Sequence, residues 1–228
     1  MKRDENKSFG LMRCLCVSLF LLLSFSTSQA QEVVDKMVAT VNGGVRTDLI
    51  TYSDLLWQMA LQPNTPIDNP SSEALNRTLQ LIINQRLIYQ EAEKLPTITP
   101  TEKEITDQLN GLINLFPSRA DFMERVQRVG LTSEQLREII RQRVAIEKYL
   151  DFRFRSFTVV TPKEVSDYYR DVYTPRFQRQ YPGRIVPTFE QVSKQLEAQL
   201  TEDKIESETT SFLDTARERA EITILNPV

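Results

Sequence analysis

Histidine is absent from this 228-residue chain, and both cysteines, Cys14 and Cys16, fall in an apolar stretch near the amino terminus. The commonest general base and metal ligand is therefore missing, and beyond that stretch so is every thiol nucleophile and soft metal ligand. Serines are plentiful, but none has a histidine partner or sits in a GxSxG elbow. Gly43-Gly44 follows Asn42 and reads as a hairpin turn, too short to cradle a phosphate. The carboxylate pairs Glu102/Glu104 and Glu206/Glu208 are two residues apart, a spacing that sends helical side chains to different faces. No catalytic residue, cofactor or metal is expected. Chemistry by carboxylates and lysine alone is the one enzymatic route these absences leave open.

What remains is surface. Aromatics crowd the interval from Tyr149 to Tyr181: Phe152, Phe154, Phe157, Tyr168, Tyr169, Tyr173 and Phe177 lie among Arg153, Arg155, Arg170, Arg176 and Arg179. Large rings are mostly core residues on ordinary packing grounds. Yet Phe152/Phe154 and Tyr168/Tyr169 cannot all face one way, so some ring here is expected on the surface. Exposed rings beside arginines suit unfolded apolar peptides, because rigid rings supply contact area at low entropic cost and guanidinium groups stack on them. Those seven rings are the candidate client-binding residues. The same mixture suits single-stranded nucleic acid, but the charge balance argues against that partner.

Residues 1–30 read as a cleaved export signal. Lys2, Arg3, Lys7 and Arg13 precede an apolar run from Leu15 to Phe25, and Ser28-Gln29-Ala30 places cleavage between Ala30 and Gln31. The run is about half the ~20 residues that span a bilayer, which favours a signal over a retained anchor. The leader holds four basic and two acidic residues. Of 28 basic and 31 acidic side chains, 24 and 29 then remain, a net charge of −5. That acidity favours solubility and disfavours nucleic acid. The remaining chain has no cysteine and forms no disulfide in an oxidising compartment.

The elements that would position the rings are legible. Val33–Leu61 reads as strand, Asn-Gly-Gly turn, strand from Val45 to Thr51, then a helix capped at Ser53 and Asp54. Glu221–Leu225 alternates β-branched residues and is the candidate third strand. Between them, Ser71 or Ser72 starts a long helix to about Leu95. Ser118 starts another that Gly130 ends, and Thr132 opens a third to about Phe154. Thr99-Pro100-Thr101-Glu102 and Thr161-Pro162-Lys163-Glu164 read as capping boxes with proline in the first turn. Thr132–Gln135 and Thr188–Gln191 read as boxes closed by glutamine. Glu102 and Glu164 are thus caps before they are catalytic carboxylates. The helix from Pro162 is expected to stop near Tyr173, with Thr174–Pro187 a connector. Beyond it the closing segment forms one long helix or two with a break near Thr201. The predicted class is mainly α: a helical bundle with a small β-sheet formed by an N-terminal hairpin and the C-terminal strand, occupying residues 31–228.

The ordered set VVDKMVATVNGGV, LQLIINQRLIYQEAEKL, TPTEKEITDQLN, VGLTSEQLREIIRQRVAIEKYL and TFEQVSKQLEAQL…FLDTARERAEITIL resembles the chaperone module of the SurA-type periplasmic chaperones. These are related to the exported PrsA-type and trigger-factor-like foldases. The resemblance implies that the two ends of the module pack together, and that it holds unfolded or partly folded exported proteins without ATP. Members of that family usually carry parvulin-type prolyl isomerase domains before the closing helix. Here the interval is Thr174–Pro187, far below the ~50 residues of a small domain. Parvulin sites draw on histidine and cysteine, and no matching positions exist. The resemblance therefore implies an exported chaperone module without isomerase activity. Two alternatives stand beside it: a scaffold for one dedicated folded partner, and a prolyl isomerase with an unrecognised site.

Overall fold

In the computed structural model, which describes residues 35–228, the two ends of that span meet in one small sheet. Strand β1 (Met37–Asn42) lies between β2 (Thr47–Thr51) and β3 (Glu221–Ile224), and both pairings are antiparallel. Ala39, Thr40 and Val41 face Ile50, Leu49 and Asp48 on one side. On the other they face Ile224, Thr223 and Ile222. The Leu225 amide continues the ladder to the Val38 carbonyl at 2.8 Å. The third strand matters because a lone two-stranded hairpin is marginal in water. The predicted fold class is the observed one. The expected export signal and its expected Ala30/Gln31 junction lie outside the described residues.

The hairpin turn is locked from two directions. Asn42 Oδ1 accepts the Gly44 amide at 2.9 Å, and Gly44 takes φ +93°, where a side chain would be strained. Gln90, fully buried, accepts the Gly43 amide at 2.8 Å and donates to Asp48 Oδ2 at 2.8 Å and the Arg46 carbonyl at 3.2 Å. A Cβ on Gly43 would meet Gln90 Oε1 at 2.7 Å, so the backbone approaches that amide closely.

Eight α-helices are seen among the described residues: α1 (Tyr52–Ala60), α2 (Ser72–Ala92), α3 (Glu102–Ile113), α4 (Arg119–Arg128), α5 (Ser133–Leu150), α6 (Pro162–Tyr168), α7 (Thr174–Gln180) and α8 (Phe189–Arg219). Their caps are those expected, with two corrections. The α1 cap is Thr51, not Ser53: its amide donates to Asp54 Oδ2 at 2.8 Å and its hydroxyl accepts the Asp54 amide. Asp54 reaches back from the third helical position, so the cap must lie three residues before it. Likewise α3 is capped by Thr101 with Glu104, and Pro100 stays outside the helix. Glu102, freed from that role, pairs with Arg137 and Arg141. Ser71, Ser118, Thr132 and Thr161 cap where the sequence places them, and Gly130 ends α4 at φ +65°.

Two layers of core result. Val38, Val41, Ile50, Leu55, Leu79 and Ile83 pack the sheet onto α1 and α2. Ile105, Phe116, Phe122, Val126, Leu136 and Ile140 pack α3, α4 and α5 together. Arg125 joins them by donating to the carbonyls of Met59, Ala60, Gln62 and Thr65 at 2.7–3.2 Å, which satisfies the carboxyl end of α1.

From this body an arm departs. Helix α6 runs through a π-helical turn (Tyr169–Tyr173) into α7, so the helix continues to Gln180 where the sequence predicts a connector from Thr174. The widened turn explains the difference. Proline lacks the amide and its ring collides with the carbonyl four residues earlier. A wide turn immediately before Pro175 relieves both faults. The connector shrinks to Tyr181–Thr188. Helix α8 then returns unbroken past Thr201: its first half packs on α6 through Val165, Val192 and Leu196, and its last turns pack on α2 and the sheet.

Candidate functional site

Where α8 rejoins the body, an open groove of about 730 Å³ forms between α2, α8 and the end of α5. Helix α8 supplies Glu208, Phe212, Thr215 and Arg219 at steps of three and four, one face of a helix. Helix α2 supplies Leu87 and Glu91, and the hairpin turn contributes Gly43. The fourth wall is Tyr149 with a π-helical segment, Asp151–Arg155, that extends α5 by one wide turn. In that turn Phe154 points inward, 6% exposed, while Phe152 points away from the groove, 48% exposed. The chain then bends, with the Phe157 and Thr158 amides both donating to the Phe154 carbonyl at 3.0 Å. Phe157 stands at the groove mouth, 72% exposed.

Phe212 is the hub of the lining. Its ring lies 6.0 Å from Tyr149 and 5.9 Å from Phe154, the latter edge to face, the arrangement that aromatic quadrupoles favour. Burial pushes the Tyr149 phenol up from its ordinary pKa, with the Glu91 carboxylate adding to the shift, so it stays a neutral hydrogen-bonding group. Glu91 and Glu208 against Arg153 and Arg219 give the rim both signs of charge. Two ionic ties hold α8 in place over the groove. Arg155 grips Glu202 with both ends of its guanidinium, at 2.5 and 3.1 Å, and also Asp151 at 2.9 Å. Lys204 donates to Glu164 at 2.6 Å and to the Val159 carbonyl at 2.9 Å.

The seven rings singled out from the sequence divide into separate places. Phe154 and Phe157 line the groove. Tyr169, Tyr173 and Phe177 run along the arm as a half-buried ladder with centroid spacings of 5.7 and 5.9 Å, and Tyr168 packs against the arm's small core. Phe152 belongs to neither. Tyr149 falls in the helix expected from Thr132 and Phe212 in the closing helical segment, two stretches that the sequence does not bring together. The signal was available only as heptad-like spacing, which does not say which face stays open. Among the described residues no three acidic side chains cluster to hold a metal, and no helix is long and apolar enough to cross a membrane. The arrangement brings four rings and charges of both signs to one opening. What it offers is an open, ring-lined cleft with a charged rim.

No family model matches the chain. Among curated proteins it is similar to Chaperone SurA of Hydrogenovibrio crunogenus, with 27% identity over 166 residues. The match covers 70% of this chain and spans about a third (36%) of the length of that relative.

Proposed function

We propose that the chain is an ATP-independent holding chaperone that acts outside the cytoplasm. It binds unfolded or partly folded envelope and outer-membrane proteins in the groove between α2, α5 and α8. The observation that carries this reading is the groove itself: Tyr149, Phe154, Phe157 and Phe212 facing about 730 Å³ of open space, rimmed by both signs of charge. Phe157 stands exposed at the mouth, half-buried Phe212 lies behind it, and buried Tyr149 and Phe154 form the floor. Such rings give an extended apolar segment contact area without a fixed sequence requirement, and the mixed rim accommodates clients of either charge. Similarity to a chaperone over most of the chain supports the same reading. Binding is weak and quickly reversed, because the client gives up its conformational freedom on docking. Release then needs no nucleotide.

Mixing the protein with a denatured outer-membrane protein and following light scattering tests the proposal. Suppression of aggregation at near-stoichiometric ratios is expected, reduced several-fold by Phe212→Ala and Phe157→Ala together. No suppression at stoichiometric excess overturns it. A proline-peptide isomerisation assay is expected to show no acceleration, since no histidine or cysteine is available outside the leader.

A further inference from the structure

The end of the arm is built differently from everything else. Tyr169 is level with the start of α8: its hydroxyl donates to the Pro187 carbonyl at 2.8 Å and its ring meets Phe189 at 5.5 Å. The helix nevertheless continues eleven residues further, to Gln180, about 16 Å at helical rise. The first turn of that overhang still packs through Tyr173 on the arm's small core. Beyond it the rings stack on one another, Tyr173 on Phe177 and Phe177 on Tyr181, and no residue from Ser166 to Gln191 is buried. It ends in a tight turn, Tyr181-Pro182-Gly183-Arg184. Gly183 takes φ +80° and the Arg184 amide returns to the Tyr181 carbonyl at 3.1 Å. This turn presents Ile185, 94% exposed, beside Tyr181, 39% exposed.

Charge is equally distinctive. Arg176, Arg179 and Arg184 lie in the interval from Val172 to Phe189, which contains no carboxylate. Arg184 lies over the Tyr181 ring at 5.5 Å, and Arg179 donates only to the Pro175 carbonyl. The tip is therefore +3, while the other described residues carry 21 basic and 28 acidic side chains, −7.

We propose that this tip docks the protein on an anionic phospholipid surface, with Ile185 and Tyr181 at headgroup depth and the three arginines on lipid phosphates. A bilayer accepts a convex, isolated protrusion without shape complementarity. A stable protein partner needs roughly 800 Å² per side of matched surface, a demand that a lipid surface does not make. Tyrosine and arginine are side chains suited to the water–lipid boundary, one end apolar and the other polar. The acidic remainder is repelled by the same surface, so contact is confined to the tip and the groove stays open. The groove and the tip share no residue, and the two proposals stand or fall separately.

Cosedimentation with phosphatidylcholine–phosphatidylglycerol vesicles and with phosphatidylcholine vesicles tests it. The full chain is compared with a triple variant, Arg176→Gln, Arg179→Gln and Arg184→Gln, and with Ile185→Ser. Every form carries the same leader, so differences belong to the tip, and circular dichroism verifies the fold. Partition onto the anionic vesicles is expected to fall about fivefold for each arginine replaced and to weaken with added salt. In Ile185→Trp, lipid brominated near the headgroup is expected to quench emission that the half-buried Trp57 of the parent does not share. Equal partition of the parent and the triple variant overturns the proposal, as does emission from the Ile185→Trp variant that brominated lipid leaves unquenched. Capture of soluble polyglutamate in place of vesicles, abolished by the triple variant, also overturns it, in favour of an acidic polypeptide partner.

Discussion

Body and arm solve the same local problem with the same device and back it with different amounts of core. At the start of α3, Thr101 and Glu104 form a capping box, and Glu104 also receives Lys148 from the helix packed across it, at 2.7 Å. At the start of α6, Thr161 and Glu164 do the same, with Lys204 at 2.6 Å. In both, the ammonium group and then the cap amide hold the carboxyl at a pKa of about 2. Behind the first box lie Ile105, Phe122 and Ile140, fully buried. Behind the second lie only Val165, Val192 and Leu196. Capping chemistry decides where a helix begins, whereas apolar burial decides whether it stays.

The sharpest way to break this comparison is to delete one buried side chain from each region. Ile140→Ala is expected to cost about 3 kcal/mol and lower the main thermal transition by roughly 6–12 °C. Leu196→Ala, chemically similar, should leave that transition nearly in place and instead abolish amide protection in α6 and the first half of α8. Calorimetry together with hydrogen exchange reads both. A coincident loss in the two variants would show arm and body to be one cooperative unit.

A smaller effect is expected at the turn. Gln90→Leu leaves the Gly43 amide without its buried acceptor and Asp48 without its amide donor, a loss of about 1–3 kcal/mol by denaturant titration. The hairpin rather than the arm should lose protection.

The least costly perturbation is acid. Because Glu104 and Glu164 titrate in the folded chain below the ordinary carboxyl value near 4.3, their contribution is present above that value. It is lost as pH falls toward 2. Exchange between pH 5 and 2 should therefore show Val165 and its neighbours opening before Ile105, since only the latter has a large core beneath it.

Most of this architecture is legible in the residues because caps and β-branched alternation are local signals. Thr132–Gln135, Thr161–Glu164 and Gly130 mark helix ends with no tertiary information, and Ile222 and Ile224 mark a strand four residues long. The shift of a cap from Ser53 to Thr51 shows the limit: several hydroxyls precede Asp54, and only the geometry of its return bond selects one. The helix through Pro175 was hidden because a π turn depends on backbone hydrogen bonding that composition does not report. The groove was half visible. Phe154 and Phe157 stood out by their aromatic neighbourhood. Phe212 lies 58 residues further on than Phe154, and the docking of the end of α8 on α2, together with the pairing of β3 with β1, brings it beside them.

Photo-crosslinking of an unfolded outer-membrane protein to the full chain tests the groove most directly, with the reactive residue placed either at Thr215 in the groove wall or at Thr106 on the outer face of α3. Strong crosslinking from position 215 that Phe212→Ala reduces several-fold, with little from position 106, is the predicted result. Equal yields from the two positions, or crosslinks from 106 alone, would contradict it.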